Sequence, residues 1–516
     1  MKNPSQLWEW LKLHINRNCR LAFLSALVLG VLVHAPIMLS DIPNHDGLDS
    51  LYFDQNMITS GRWFLTVACG FSSYFTVPWL IGILGMFLLA LAAAVLVDFL
   101  EVTSSWTVVL ISGMLVTFPA LASTFAYVFT LDGYMMALLF AVLSVWCVKK
   151  WKKGFVAGGI FLAFSMGIYQ SYLPFAVLLS IYGILTICMT SQTVKEKLFS
   201  SLKYLYMGII GVAGYYIILQ VLLKIQGKEL ANYQGIDGMG AGLGSGLFAS
   251  VKSMYVDFFG FTFGGNVLMN NVFSGAVLLI LVFATALTLL SLYTARKWYK
   301  NLWFYIVAAL LILGIPVATN LILVISPNVT YHLLMRYQWV LFPICMIAFV
   351  SKYAMVKYRN GAEWALLVCG GVLLFNFVVT DQIAYSNLEK KYEKTYAYCL
   401  RLLDRIEQTD GYYPGIPIAM VGVVGDEQFP MTDLTAHVTS NMIGMTGDSL
   451  LYTSTNYRLF MQAYLGATLN ILPAEAMAEM YYNEEYIAMD SFPGENSIKI
   501  MDGIMYIKTE NVNREG

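Results

Sequence analysis

Charge is in short supply along this chain: only 12 % of its 516 residues are Asp, Glu, Lys or Arg, against 58 % hydrophobic. The two signs nearly balance, 31 basic against 32 acidic, and the basic residues fall in short clusters rather than along one stripe, so no nucleic-acid partner is expected. Cysteine is sparse too. The seven, Cys19, Cys69, Cys147, Cys188, Cys345, Cys369 and Cys399, lie mostly inside apolar runs, with no CxxC pair and no metal-ligand spacing. That excludes a disulfide framework and a zinc site. No internal repeat is evident, which tells against an inverted-repeat transporter. No small-residue cleavage site follows the first apolar run, so the basic amphipathic start at 1–20 and the run at 21–39 read as a cytoplasmic end and a retained span, not a signal peptide.

What the chain has instead is apolar length. Runs near twenty residues, the length a helix needs to cross a bilayer, recur at 21–39, 78–98, 105–121, 125–147, 154–170, 172–190, 204–224, 269–292, 302–325, 336–355 and 363–381. The expected fold is a polytopic α-helical membrane protein of about 11 spans. Counting from a cytoplasmic N-terminus, the positive-inside rule is met by Lys149-Lys150-Trp-Lys152-Lys153, by the lysines from Lys195 to Lys203, by Arg296-Lys297-Trp-Tyr-Lys300 and by the basic residues from Lys352 to Arg359. Only the loop at 99–105 lacks the bias. The same count puts loops 41–77 and 226–265, the loop near 326–335 and the tail outside. We therefore expect a transmembrane domain at 21–382 carrying those outer loops, and a small extracytoplasmic α/β domain at 383–516. Within the latter, 388–406 reads as a charged amphipathic helix, 416–424 as a buried strand, and 497–508 as a hairpin about Asp502-Gly503.

Polar chemistry is concentrated at 41–54, where Asp41, Asp46, Asp49, Asp54 and His45 share one outer loop. Asp46 and Asp49 are three apart and would share a helix face, making them the candidate acid/base pair. Asp46-Gly-Leu-Asp49 also fits an N-cap aspartate with a carboxylate at the third helical position, worth about 1 kcal/mol, and the two readings are compatible. His45 is either a base or phosphate contact, or a solvated loop histidine. Arg62, ahead of Trp63-Phe64-Leu65, suits a phosphate at headgroup depth, or is an interfacial anchor. Arg336, beside Tyr331 and His332, has the same two readings. Tyr169 and Gln170, at the outer junction of two spans, offer ring faces and hydrogen bonds to a sugar, or belong to an aromatic belt. Asp132 lies roughly 10 Å below the outer end of its span, where a carboxylate costs about 2.5–3.5 kcal/mol, and should face a wet cavity or a partner. The glycine-rich stretch at 235–246 has no preceding strand, so it reads as an external flap rather than a nucleotide loop, and Asn328-Val-Thr330 matches a glycosylation sequon.

The chain resembles the bacterial Gtr-type (type II) glucosyltransferases, membrane enzymes that decorate surface glycans with glucose from a polyprenyl-phosphate donor. The likeness rests on Asn44-His45-Asp46, Gly61-Arg62-Trp63-Phe64, Gly167-Ile-Tyr169-Gln170, and Phe492-Pro493-Gly-Glu-Asn-Ser497-Ile498-Lys499 through Asp502-Gly503. Many relatives carry adjacent acidic residues in the first loop, whereas here Asp46 is followed by Gly47 and the next aspartate is Asp49. The resemblance implies a GT-C-like architecture, a catalytic acid in the first outer loop, and glucose as the sugar. On that footing Asp46 would take the acceptor hydroxyl's proton, with Asp49 orienting the acceptor or sharing the role. Arg62 and Arg336 would hold the departing lipid phosphate, and His45, Tyr169, Gln170 and Asp132 would contact sugar or acceptor. A single displacement would invert the anomeric centre.

The expected partners are a polyprenyl-phosphate-hexose donor, a cell-surface glycan such as an O-antigen or teichoic acid, and the bilayer, with a donor synthase and a flippase as candidates. No resident cofactor or metal site is expected; clustered carboxylates can hold a divalent ion, but a monophosphate donor does not require one. Two other classes compete: a transporter or flippase of lipid-linked sugar, disfavoured because the polar groups gather at one face rather than at midplane, and a non-catalytic assembly protein that binds glycan.

Overall fold

The computed structural model of the protein describes residues 3–6, 9, 15–43, 45–49, 56–70, 76–190, 193–232, 247–298, 302–326, 329–421, 438–442, 445, 450–451 and 453–509. The chain divides into two compact units, 1–39 with 54–382 and 40–53 with 383–516. Asp54, Asn44, Asn328 and the run 235–246 lie outside the described residues.

In chain order the helices are α1 (Arg17–Met38), α2 (His45–Asp49), α3 (Leu65–Cys69), α4 (Pro78–Leu100), α5 (Ser105–Thr117), α6 (Pro119–Phe125), α7 (Leu131–Lys150), α8 (Gly154–Ile168), α9 (Leu173–Cys188), α10 (Val194–Gln226) and α11 (Leu247–Phe263). They continue as α12 (Val272–Ala295), α13 (Leu302–Thr319), α14 (Ile322–Ile325), α15 (Leu341–Tyr353) and α16 (Arg359–Glu407). The tail adds β1 (Ile418–Val421), α17 (Ser454–Leu465), α18 (Ala474–Met477), α19 (Glu484–Ile487), β2 (Ile498–Met501) and β3 (Ile504–Lys508).

The first unit is a helical bundle whose surface is inverted relative to a protein in water. On α1 the buried stripe is Ala22, Ala26, Gly30 and His34, four residues apart, while Leu24, Val28 and Leu32 face outward at 57 %, 54 % and 67 % exposure. Small residues inward and large apolar ones outward is the arrangement lipid favours, since close backbone approach rather than apolar burial drives helix association there. The crossing of α8 and α10 shows the same logic: a Cβ on Gly159 would come within 2.5 Å of Ile210, and one on Gly211 within 2.6 Å of Leu162. Among the described residues eight helices are long and apolar enough to cross a membrane, and the helices at Gly154–Ile168 and Phe304–Thr319 are shorter apolar ones. The chain is thus a mainly helical membrane protein.

Ion pairs tie α7 to its neighbours. At its C-terminus Lys149 pairs with Glu101 at 2.9 Å, Lys150 with Asp98 at 2.7 Å, and Lys352 at the end of α15 also holds Glu101. Burial alone would raise the Glu101 carboxyl, but hydrogen bonds and charge from Lys352 and Lys149 hold it down at about 2. The loop that lacks basic residues of its own is therefore neutralised by lysines from two neighbouring basic loops.

The second unit carries a three-stranded sheet in the order β1-β3-β2. β1 is parallel to β3 and β2 is antiparallel to it, with Met501 opposite Ile504 across the two-residue turn Asp502-Gly503. Both turn residues have positive φ, 50° and 77°, as the right-handed twist of a tight hairpin demands. The core gathers Cys399, Leu402 and Ile406 from α16, Ile418 and Met420 from β1, Phe460 and Met461 from α17, and Met505 and Ile507 from β3.

Three features depart from expectation. The segment 40–53, expected with the transmembrane domain, groups with the tail because Leu48 of α2, 2 % exposed, is part of that tail's core. The span expected to end at 381 and the amphipathic helix expected at 388–406 are one 49-residue helix, α16. No glycine or proline stands between Thr380 and Leu388, so nothing in the backbone interrupts propagation. The outer loop expected at 226–265 contains α11, whose Phe248, Val256 and Phe263 are exposed while Met254 and Phe261 are buried.

Candidate functional site

Two sequence-distant motifs of the first unit pack directly on each other. The chain turns tightly at Gly61 (φ 78°), and Met57 and Arg62 form an isolated antiparallel bridge. The Phe64 amide then donates to the Gly167 carbonyl at 2.8 Å. Trp63 lies over Gly167 so closely that a Cβ there would come within 2.5 Å of the indole, which only glycine permits.

Gln170, 3 % exposed, locks the junction. Its amide nitrogen donates to the Ser60 carbonyl at 3.0 Å and to the Tyr215 hydroxyl at 2.9 Å, and that hydroxyl donates to the Gly61 carbonyl at 3.2 Å. Through Gln170 and Tyr215 the backbone at Ser60-Gly61 is tied to the 164–172 segment and to α10.

Arg62 is held above the junction. Its Nη1 donates to the Tyr134 hydroxyl at 3.2 Å, and its guanidinium lies 4.7 Å from the Tyr169 ring centre. Tyr134 and Tyr169 stack at 4.5 Å with an interplanar angle of 3°, and Tyr172 stands edge-on to both. A cation on aromatic rings beside phenolic hydroxyls is a chemistry that suits a sugar phosphate.

Asp132 is fully buried. Its carboxylate accepts the Gly133 amide at 2.9 Å at the start of α7, where the helix dipole favours negative charge, and Cys69 is its neighbour.

Arg336, 6 % exposed, is engaged on every side. Its two terminal nitrogens form a fork to Asp257 at 2.7 Å each, Nε donates to the Tyr331 carbonyl at 3.2 Å, and the faces stack on Tyr331 and Phe261 at 3.7 and 4.2 Å. Burial first, and then the Arg336 charge, lowers the nearby His332 imidazole from its ordinary value. Sequence reasoning missed Asp257; a lone carboxylate inside Tyr255-Val-Asp257-Phe258-Phe259 was the available signal.

His45, Asp46 and Asp49 belong to the second unit, on α2. The helix starts at His45, so Asp46 lies in its first turn rather than at the cap. His45 Nε2 stands 3.4 Å from Asp46, whose side chain is 55 % exposed, and the Asn456 amide donates to the His45 carbonyl at 3.4 Å. Asp49 closes the helix. In the same segment, burial pushes the Asp41 carboxyl upward. Among the described residues no three His, Cys, Asp or Glu side chains converge as metal ligands.

An apolar cleft of about 660 Å³ opens in the first unit between α9, α12, α13 and α15, lined by Leu178, Tyr182, Leu290, Phe304, Phe342 and Phe349 among others.

No curated protein and no solved structure matches the chain. A family model described as Glucosyl transferase GtrII matches residues 35–351, a span that contains Asp46, Arg62, Asp132, Tyr169, Gln170 and Arg336.

Proposed function

Because the chain belongs to the GtrII glucosyl transferase family, we propose that this membrane glycosyltransferase moves glucose from a polyprenyl-phosphate donor to a cell-surface glycan. The observation that carries the reading is the packing of the 61–64 turn on 164–172, which sets the Arg62 guanidinium on Tyr169 beside the Tyr134 hydroxyl. Arg62 would meet the lipid phosphate, and the apolar cleft would take the prenyl chain. Arg336 then contributes indirectly, since both its edges and faces are already committed within the protein.

Asp46 is the proposed general base, with Asp49 orienting the acceptor. The acceptor oxygen bonds to the anomeric carbon as its proton passes to the carboxylate, and the carbon–oxygen bond to phosphate breaks with the electron pair leaving on phosphate. One such displacement inverts the anomeric configuration.

The test is reconstitution of the whole chain in vesicles with labelled polyprenyl-phosphate-glucose and a surface glycan. Wild type should move label from lipid to glycan, and Asp46→Asn should lower turnover at least 100-fold at unchanged expression. Label that crosses the bilayer still attached to lipid would identify a flippase instead.

A further inference from the structure

One carboxylate in the first unit takes no part in anything described so far. Asp381, on α16, is completely buried, and neither of its oxygens has a hydrogen-bond partner. Its polar neighbours along the helix are committed elsewhere: the Thr380 hydroxyl donates to the Asn376 carbonyl at 2.9 Å, and the Gln382 amide to the Val33 carbonyl at 2.7 Å. Tyr337 lies within electrostatic reach, but its hydroxyl proton is spent on the Leu115 carbonyl at 2.6 Å. An ionisable group placed this way is costly, and such groups are kept where a ligand meets them.

A second orphan lies on the other side of Tyr337. The Tyr172 hydroxyl is buried and without a hydrogen-bond partner, on a ring 1 % exposed. Its ring centre is 6.4 Å from that of Tyr337 and 5.9 Å from that of Tyr169, over which Arg62 sits. Arg62, Tyr169, Tyr172 and Tyr337 thus follow one another ring to ring, and Asp381 lies within electrostatic reach of the last of them, one helical turn beyond Phe377, which packs on Phe118 beside Tyr337.

We propose that Asp381 and Tyr172 form the hexose-reading end of the donor site: the Asp381 oxygens accept hydrogen bonds from sugar hydroxyls, and the Tyr172 hydroxyl supplies a further one. This rests on the donor being a polyprenyl-phosphate sugar. A carboxylate has two acceptor oxygens that match hydroxyls on adjacent ring carbons, whereas a lipid tail offers nothing to it and a phosphate repels it. Mostly apolar walls with a few convergent polar groups are the usual make-up of a small-ligand site. Because both groups are enclosed, the sugar reaches them only when neighbouring side chains part, and a donor lacking the matching hydroxyl then leaves a buried acceptor unpaired. Discrimination among sugars follows from that penalty.

The experiment uses the full chain in vesicles, polyprenyl-phosphate-glucose, and its 2-, 3-, 4- and 6-deoxy analogues. Wild type should disfavour at least one deoxy donor by tenfold or more in kcat/KM. Asp381→Asn should shrink that ratio several-fold while the unfolding midpoint holds or rises, because no intramolecular hydrogen bond is lost. Tyr172→Phe should shrink it independently, which keeps the test open should the first variant express poorly. Unchanged discrimination in both variants, or a wild type indifferent to every deoxy donor, overturns the proposal alone. No transfer from any polyprenyl-phosphate sugar overturns the functional reading and this inference with it.

Discussion

Around Arg62, the other residues of the 61–64 and 164–172 segments act through contact rather than charge. Gly167 is the clearest case, because its missing side chain is the space Trp63 fills. Gly167→Val should cost about 1–3 kcal/mol by overpacking, and, because it displaces the turn that holds Arg62, should also lower transfer. A melting curve of the purified variant checks the first and the reconstituted assay the second. How the sequence advertised these residues was uneven. Arg62, Tyr169 and Gln170 stood out as polar groups beside apolar runs. Yet Gln170 turned out to bind backbone and Tyr215, and Arg336 to bind Asp257, since each partner is remote in sequence and only folding brings the two together. Asp381 escaped notice because it closes an apolar run, where a carboxylate reads as the start of the next loop.

Elements reveal how helix ends are tied. Glu101 joins α4 to α7 and α15 through Lys149 and Lys352, and its carboxyl is held at about 2 against an ordinary 4.5. A carboxyl depressed on folding contributes stability that is complete above 4.5 and is lost as pH falls toward 2. The unfolding midpoint should therefore decline over that interval, and Glu101→Gln should flatten that part of the decline. A wild-type profile with no such component would remove the pin from the account. At this scale the sequence was most legible. Most of each apolar run lies on helical structure, as 78–98 does on α4 and 204–224 on α10, because a long apolar run leaves the backbone no other way to satisfy its hydrogen bonds in lipid; the run at 105–121 is interrupted at Phe118, ahead of Pro119. The Asp502-Gly503 turn was equally plain, since few dipeptides adopt two positive φ angles cheaply. The continuity of α16 was not, because a change from apolar to charged composition marks a change of surroundings and not of backbone.

For the whole molecule, the transfer chemistry proposed for Asp46 is expected to need no metal, because a monophosphate leaving group can be met by a guanidinium. Activity in the vesicle assay should survive a divalent chelator, and loss restored by added Mg²⁺ would overturn that. The division of the chain was the least legible property of all. The acidic composition of 40–53 does not say which unit it joins; the place of Leu48 in one core with Phe460, Met461 and Ile507, together with the Asn456 hydrogen bond to the His45 carbonyl, assigns it to the tail. That assignment has a consequence in time. Leu48 leaves the ribosome roughly 350 residues before the first of its core neighbours on α16, about 20–70 s earlier at roughly 5–20 residues per second. Through that interval its eventual neighbours do not yet exist, so the second unit closes only after nearly the whole chain has been synthesised.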